Sequence, residues 1–420
     1  MRPLVRRVLS FALLAEAACG SSGGGPGGGV GGGNASLAFT GTEGVPIAVT
    51  NVSDTLVVPL AANGARGTAI LDTGSPILAL DLTAFPGAGL PSGSGTLDTL
   101  TLGAMTVDRA TVVGANLIVS PDPTVPIGGS LGCAVICSFG VALNYRDTEV
   151  TFGKGTAPAN VESPGTVVPF DLLGGGSVTI TGVPGVVSFP VSRISLSANV
   201  EGTSYAFVVD TGDSFVTLRQ TLFGDIVADG RAQIGGIGTA TVGQSSTSSV
   251  TRLRSFSVGG VSTSGIVASE DSTIEATLDA VAMEVGHPID GLVGGSFLRQ
   301  FFVAIDYAGS TLTLARYTVG APTFDAFDRV GIAITPPGTS GHALVSGVVA
   351  GTDAAAKGVS MGDEIVAVDG QPLASLGATK IDVLLSGDVG SSKSVQFGTA
   401  ASASLANKTV AILVNDLLPL

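Results

Sequence analysis

The sequence Asp-Thr-Gly occurs twice in this chain, at residues 72–74 and 210–212, and each copy ends a run of apolar residues. An apolar strand that ends in a carboxylate places an ionisable group where its burial is costly. The two copies lie 138 positions apart and occupy the same place in a repeated module. This arrangement predicts two carboxylates that meet across a two-fold axis.

The repeat extends well beyond the two tripeptides. Gly64 and Gly202 each lie eight residues before the Asp, in dipeptides typical of hairpin turns. Downstream, the Gly-x-x-Gly turns at 129–132 and 291–294 correspond at an offset of 162. The offset grows from 138 through 156 to 162 because the second copy carries insertions of 18 and 6 residues. A unit of this length indicates a duplicated domain rather than a solenoid.

Composition limits the classes of protein to which the chain can belong. Its 420 residues carry a net charge of -14, which argues against a nucleic-acid partner. Gly, Val, Thr and Ser are abundant and Trp is absent, which favours many short strands joined by tight turns. The two histidines, His287 and His342, are far apart and no Cys or His lies near them at ligand spacing. The sequence therefore indicates neither a metal site nor another cofactor.

The N-terminus has the features of a signal peptide over residues 1–19. Three arginines precede a short apolar stretch at 8–18, which is too short to span a bilayer permanently. Two endings are open: a small-x-small cleavage site at 15–17, or a lipoprotein signal that leaves Cys19 lipidated. The Gly/Ser-rich composition of residues 20–35 predicts a flexible tether. We expect an exported protein of the bacterial cell envelope, either an outer-membrane lipoprotein or periplasmic, or a secreted one.

Cys133 and Cys137 leave two alternatives open. An oxidising compartment allows them to pair, but a spacing of four on a helix is poor disulfide geometry. Two buried thiols on one helical face are the other interpretation.

Residues 45–317 resemble the aspartic protease family, both its retropepsin-like and its pepsin-like members. The resemblance rests on apolar-Asp-Thr-Gly with a downstream Gly-x-x-Gly turn, both present twice, and on closing strands that end at Tyr145 and Tyr307. It implies a mainly β, two-lobed acid-protease (duplicated retropepsin-like) fold, with lobe 1 at 36–160 and lobe 2 at 161–320. Both halves are present in one chain, so the resemblance implies a monomer.

The family resemblance also implies roles for the residues of the two motifs. Asp72 and Asp210 would be the catalytic pair of an aspartic-type endopeptidase that acts on peptides or proteins. Two carboxylates about 3 Å apart do not both ionise easily, so one supplies a base and the other an acid. The supporting residues would be Thr73 and Thr211, which bond across the axis, Gly74 and Gly212, which allow close approach of backbone N–H groups, and their neighbours Ser75 and Asp213.

Two departures from the family pattern keep a non-catalytic peptide-binding scaffold open as an alternative. Asp213 stands where the family often has Ser, Thr or Ala. It would either raise the proton affinity of the pair or point to solvent. The first lobe also lacks the flap tyrosine of pepsins. We therefore expect the flap in the second-lobe insertion at 233–249, with a mobile polar tip from Gly243 to Ser249.

A competing motif surrounds Ser130. Residues 128–132 match Gly-x-Ser-x-Gly, the nucleophile elbow of serine hydrolases. The second repeat has Leu292 at the position of Ser130, so the turn alone explains the glycines, and the interpretation as a serine hydrolase is not favoured.

Residues 329–420 resemble a bacterial PDZ domain, which would make 321–420 a small α+β domain. The resemblance rests on the run at 358–373, with its Gly-Asp and Asp-Gly turns. In such domains an exposed strand binds a C-terminal peptide by β-augmentation. Here that loop and strand would be Val330, Gly331, Ile332, Ala333 and Ile334. A packing module without a free groove is the alternative. In either case we expect the two-lobed core to be complete without this segment.

Overall fold

The computed structural model describes residues 8–9, 37–117, 126–153, 161–162, 164–178, 187–189, 191–241, 244–320, 322, 327–335 and 341–420. The expected signal peptide, Cys19 and the tether lie outside this part, apart from Val8–Leu9. Within the described residues, no helix is both long and apolar enough to cross a membrane.

The first lobe is a twisted β-sheet closed by a short helix. Its sheet has the strand order β2-β10-β9-β5-β6-β12-β7-β11-β8, with β4 paired to β5. In chain order the elements up to residue 153 are β1 (Val8–Leu9), β2 (Phe39–Gly41), β3 (Ile47–Ala48), β4 (Thr50–Val52), β5 (Thr55–Ala62), β6 (Ala65–Leu71), β7 (Leu78–Asp81), β8 (Gly93–Thr96), β9 (Thr99–Leu102), β10 (Met105–Asp108), β11 (Thr111–Ala115), β12 (Gly129–Leu131), α1 (Cys133–Ile136), β13 (Gly140–Asn144) and β14 (Glu149–Phe152).

The hairpin between β5 and β6 forms where the sequence predicts it. Asn63 and Gly64 have φ angles of 46° and 84°, which are the two left-handed positions of a tight hairpin turn. The equivalent pair in the second lobe, Glu201 and Gly202, has φ angles of 50° and 96°. Each hairpin feeds a strand that runs into an Asp-Thr-Gly motif.

The second lobe repeats this plan with an added hairpin and two longer helices. Its sheet contains the order β23-β26-β21-β27-β20-β19-β24-β25, which matches β8-β11-β7-β12-β6-β5-β9-β10 of the first lobe strand for strand. In chain order its elements are β15 (Thr166–Pro169), β16 (Asp171–Leu173), β17 (Gly176–Val178), β18 (Val187–Phe189), β19 (Arg193–Val200), β20 (Thr203–Val209), β21 (Val216–Leu218), α2 (Gln220–Val227), β22 (Gln233–Thr241), β23 (Gln244–Leu253), β24 (Phe256–Val258), β25 (Val261–Thr263), β26 (Ile266–Asp271), α3 (Ser272–Val285), β27 (Gly291–Val293), α4 (Gly295–Leu298), β28 (Phe301–Asp306) and β29 (Thr311–Arg316).

A six-stranded sheet joins the lobes, in the order β15-β29-β28-β13-β14-β3. At its centre β13 and β28 run antiparallel, and Ala142 pairs with Ala304, its own equivalent in the repeat. The two-fold axis therefore passes between these two residues. One hydrophobic core continues through both lobes, from Leu71 and Leu131 to Val209 and Val293. The predicted fold class, mainly β with two equivalent lobes, is confirmed.

Cys133 and Cys137 form a disulfide bond in the first lobe. Cys137 follows the last residue of α1, and the two Cα atoms are 4.7 Å apart, within the ordinary range for a disulfide. Of the two alternatives left open by the sequence, the structure shows the pair.

The C-terminal segment is a separate small α+β unit with its own core. Its main sheet has the order β31-β32-β33-β35-β36, with β34 paired to β33, while β30 pairs with β37. Its elements are β30 (Asp328–Arg329), β31 (Ile332–Thr335), β32 (Ala343–Val348), α5 (Asp353–Ala356), β33 (Glu364–Val368), β34 (Gln371–Pro372), α6 (Ala378–Leu384), β35 (Ser392–Phe397), β36 (Thr409–Leu413) and β37 (Asn415–Asp416).

This C-terminal unit packs against the second lobe. The rings of Phe327 and Phe215 meet at the contact in a tilted arrangement, with centroids 6.1 Å apart. The buried apolar cluster there consists of Phe215, Val250, Val267, Phe327, Leu417 and Leu418. Phe215 lies just beyond the second Asp-Thr-Gly motif, and Val250 lies on the added hairpin.

Arg252 of β23 adds polar contacts to the same interface. Its Nε donates to the carbonyl of Leu418 at 2.9 Å, and its Nη2 is 3.2 Å from the carboxylate of Asp328. The main core of the lobes contains no residue of the C-terminal segment, although removing that segment would uncover Phe215. That the two lobes are complete without it stays a prediction.

Candidate active site

The two Asp-Thr-Gly loops meet at the interface of the lobes. β6 ends at Leu71 and β20 ends at Val209, so each strand delivers its Asp to the two-fold axis. A Cβ on Gly74 would lie 2.3 Å from Oδ2 of Asp210, and one on Gly212 would lie 2.9 Å from Cγ of Asp72. Only glycine leaves room for this crossing. Asp72 and Asp210 are 0% and 2% exposed.

The two threonines bond across the axis in a symmetric network. Thr73 Oγ1 donates to the carbonyl of Val209 at 2.8 Å, and Thr211 Oγ1 donates to the carbonyl of Leu71 at 2.7 Å. Each hydroxyl also accepts from the backbone N–H of the other threonine, at 3.0 and 3.1 Å. Each lobe therefore holds the other lobe's loop by buried hydrogen bonds.

The hydrogen bonds to the two carboxylates differ. Asp72 accepts from the N–H of Ser75 at 2.9 Å on Oδ1 and from the hydroxyl of Ser130 at 2.9 Å on Oδ2. Asp210 accepts from the N–H of Gly212 at 2.8 Å. The two carboxyl groups lie close together, since a Cβ on Gly212 would lie 3.0 Å from Oδ1 of Asp72 and 3.1 Å from Oδ1 of Asp210.

Burial dominates the protonation of the pair. It raises the pKa of Asp72 to about 6, and the hydrogen bonds from Ser130 and Asp210 oppose part of that rise. Burial, followed by the negative charge of Asp72, raises the pKa of Asp210 well above its usual value. One proton shared between the two groups is the state that this arrangement favours near neutral pH.

Arg193 is a buried cation beside the pair that the sequence analysis missed. It begins β19, is 5% exposed, and its Nη1 donates to the carbonyl of Gly74 in the opposite lobe. Its charge lowers the pKa of both Asp72 and Asp210. Comparison of the repeats offers a signal for it, because Thr55 holds the equivalent position in the first lobe.

Asp213 is buried in the second lobe, and its effect on the proton affinity of the pair stays a prediction. It is 0% exposed, which corrects the solvent-facing alternative. Its carboxylate accepts from the hydroxyl of Thr217 at 2.5 Å and from the N–H of Phe215 at 3.2 Å. Its described contacts hold the chain that leads from the second motif into β21.

Tyr145 and Tyr307 follow the central strands β13 and β28 and lie buried on the two sides of the axis. Burial raises the pKa of both phenols. Smaller contributions to the two pKa values come from the charges of Asp210 and Asp72, respectively. Within the described residues neither hydroxyl has a hydrogen-bond partner. The sequence analysis singled out these tyrosines as repeat markers only.

The second-lobe insertion forms an antiparallel hairpin of β22 and β23, with a bulge between Ile234 and Ile237. The first lobe has only the four-residue strand β8 in its place. The predicted loop from Gly243 to Ser249 is wrong in part, because β23 begins at Gln244. The two residues at the tip, 242–243, lie outside the described part, and closure over the site stays a prediction.

In the C-terminal unit the five predicted groove residues lie together, with Ile332, Ala333 and Ile334 on β31 at the edge of the sheet. The N–H of Val330 is not available to a peptide, because it donates to the carbonyl of Leu385. Arg329, just before them, donates to the carbonyl of Ile332 and to Asp382, both at 2.9 Å. Arg329 thereby links β31 to α6, which contains Asp382.

Comparison with known families identifies this C-terminal unit. Residues 327–397 match the model of the PDZ domain family. They form a PDZ domain. PDZ domains bind peptides. That Gly331 to Ile334 line such a peptide groove stays a prediction.

The solved structures that are similar to this chain include an aspartic proteinase. The crystal structure of aspartic proteinase from Irpex lacteus has a TM-score of 0.41 and 16% sequence identity, and covers 68% of this chain and 100% of that one. In sequence, no curated protein matches the chain.

Proposed function

We propose that the two-lobed part is an aspartic endopeptidase that uses Asp72 and Asp210 to hydrolyse peptide bonds. The observation that carries this proposal is the meeting of two buried carboxyl groups, one from each lobe, at the interface of the lobes. Both pKa values are raised, as acid–base work near neutral pH requires.

The proposed reaction needs no metal ion and no covalent intermediate. The ionised carboxylate takes a proton from water, and the resulting hydroxide adds to the carbonyl carbon of the peptide. The protonated carboxyl group gives its proton to the carbonyl oxygen, which forms a gem-diol. The first carboxyl group then protonates the leaving nitrogen, the C–N bond breaks, and the second one recovers a proton from the gem-diol.

The two raised pKa values set the pH range of this activity. Below the lower value both groups are protonated, and no base remains. Above the higher value both are ionised, and no acid remains. With the pKa of Asp72 near 6 and that of Asp210 higher, we expect a bell-shaped profile with its acid limb near pH 6.

Hydrolysis of an unfolded protein and of a short peptide, with and without a statine-type inhibitor, tests the proposal. We expect Asp72→Asn and Asp210→Asn each to lower kcat/KM by roughly 10³-fold or more. Asp98→Asn and Asp225→Asn, one exposed carboxylate in each lobe, are matched controls and should keep full activity. No hydrolysis by the unaltered chain would support a non-catalytic peptide-binding scaffold instead.

The location and partners of the protein are proposals from the sequence alone. The basic and apolar N-terminus supports export, and Cys19 supports a lipid anchor. We propose that the PDZ domain recruits peptide or protein ends to an envelope-attached, monomeric protease. Mass spectrometry of the mature N-terminus distinguishes a lipidated Cys19 from cleavage after Ala17.

A further inference from the structure

Ser130 is placed to act on one carboxylate of the pair. It is the middle residue of β12, which lies between β6 and β7, and it is 0% exposed. Its hydroxyl donates to Oδ2 of Asp72 at 2.9 Å. A hydroxyl has one proton to donate, so this proton is committed to the carboxylate.

The second lobe has no equivalent donor at this position. The middle residue of β27 is Leu292, which pairs with Val208 and Thr217 just as Ser130 pairs with Ile70 and Ala79. The Leu292 side chain packs in an apolar cluster with Ile274 and Leu278. The scaffold is symmetric here, but the chemistry of the two positions is not.

The two oxygens of Asp72 are both held from the first lobe. Ser75 N–H donates to Oδ1 and the Ser130 hydroxyl donates to Oδ2. A carboxylate that accepts two such bonds favours its charged form, because charged acceptors make the stronger hydrogen bonds. The direction of the pKa shifts agrees, since the side-chain interaction between the two carboxyl groups lowers the pKa of Asp72 and raises that of Asp210.

We infer that Ser130 is a positioning residue that makes Asp72, rather than Asp210, the carboxylate that carries the charge. The inference rests on the proposed function and assigns its two roles. Asp72 is the group that takes the proton from water, and Asp210 is the group that gives a proton to the carbonyl oxygen. Ser130, which the Gly-x-Ser-x-Gly motif suggests as a nucleophile, instead donates a hydrogen bond to the base, Asp72.

A titration of the two carboxyl groups by ¹³C NMR on aspartate-labelled full-length protein tests this inference without any substrate. Asp72→Asn and Asp210→Asn assign the two resonances. In Ser130→Ala we expect the midpoint of Asp72 to rise by about one pH unit, because a charge-stabilising donor is lost. Ser130→Thr retains a hydroxyl and should keep the midpoint of the unaltered protein.

Ser296→Ala is the matched control. Ser296 is also a buried serine, and its hydroxyl donates to the carbonyl of Val267 and accepts from the N–H of Val216, but neither is a carboxylate. This variant should lower the melting temperature and leave the midpoint of Asp72 unchanged. If Ser130→Ala does not fold, Ser130→Cys keeps the side-chain volume with a weaker donor and should move the midpoint in the same direction.

The kinetic counterpart is the acid limb of kcat/KM, which should move upward with the midpoint. The inference is overturned if Asp72 titrates unchanged in folded Ser130→Ala, or if Asp210 loses its proton first in the unaltered protein. Absence of hydrolysis by the unaltered protein would contradict the proposed endopeptidase, while the NMR titration would still decide the role of Ser130.

Discussion

The two lobes share one strand order but differ in what surrounds their aspartates. Asp72 has a serine hydroxyl against it, where the second lobe has Leu292. The second lobe in turn supplies Arg193, the added hairpin and the contact with the PDZ domain. Duplication explains the shared scaffold. The differences show that a symmetric fold can surround two identical groups with different hydrogen bonds and charges.

The largest expected difference between the lobes concerns the PDZ contact. Phe327→Ala removes a buried ring that packs against Phe215, so we expect a loss of roughly 4 kcal/mol in the free energy of unfolding. Hydrogen exchange should quicken in β21 and β23 of the second lobe and stay unchanged in β7 and β11 of the first.

Val389→Ala is the control for this variant, because Val389 is 55% exposed in the same domain. Equal exchange in both lobes, or no loss of stability in Phe327→Ala, would mean that the PDZ domain is not part of the second lobe's packing.

The next effect separates the two aspartates by pH. Folding raises the pKa of Asp72 from 3.8 to about 6, so the folded state holds a proton that the unfolded chain releases in this range. Stability therefore falls as pH rises from about 4 to 6. At pH 7 we expect the free energy of unfolding of Asp72→Asn to exceed that of the unaltered protein by roughly 3 kcal/mol. At pH 3 the two values should be equal.

Asp210→Asn is the comparison for this experiment, measured by urea denaturation at both pH values. The pKa of Asp210 is raised further than that of Asp72, so the folded state loses more stability through Asp210 as pH rises, and the gain of Asp210→Asn at pH 7 should be the larger one. Equal gains in the two variants would contradict the different protonation states of the two aspartates.

The threonine network should respond equally on both sides. Thr73→Val and Thr211→Val each leave a buried carbonyl and a buried N–H without the hydroxyl they bond. We expect each to cost about 3 kcal/mol in the free energy of unfolding, and Thr→Ser at the same positions to cost much less. If the stability losses of the two Thr→Val variants differ by more than about 0.5 kcal/mol, the two sides of the axis do not contribute equally to stability.

The smallest expected effect lies in the two short helices. Cys133→Ala with Cys137→Ala opens a short disulfide loop in α1, where the second lobe has Gly295 and Arg299. We expect a loss of about 2 kcal/mol, because few residues are enclosed in the loop. Reduction of the unaltered protein should give the same loss in urea denaturation, and a loss in the double variant alone would assign the effect to packing.

Much of the fold can be predicted from the sequence because it depends on local patterns that occur twice. The turns at Asn63-Gly64 and Glu201-Gly202 need left-handed backbone, and the apolar runs before Asp72 and Asp210 need burial. The Gly-Asp and Asp-Gly turns near the C-terminus are also local patterns. They predict a PDZ domain, and the family match at 327–397 agrees. Repetition makes these patterns readable, since chance matches do not keep a common offset.

Other features depend on contacts between residues distant in sequence. Ser130 lies 58 positions from Asp72, and Arg193 lies 119 positions from Gly74. The sequence shows a Gly-x-Ser-x-Gly pattern and a charged residue at the start of a strand, but not what either one touches. The contact between Asp213 and Thr217 also cannot be predicted from the sequence, because a carboxylate that follows the motif can face the aspartate pair, the solvent or its own strand.

The order of the residues is enough to predict the two-lobed β architecture, the pair Asp72 and Asp210, and the PDZ domain. Each of these follows from short-range periodicity and turn chemistry, and the first two also from an internal repeat. The three-dimensional arrangement was needed to show that Ser130 contacts Asp72, that Cys133 pairs with Cys137, and that the PDZ domain covers part of the second lobe. These contacts depend on distances in space, because strand pairing sets which distant residues lie side by side.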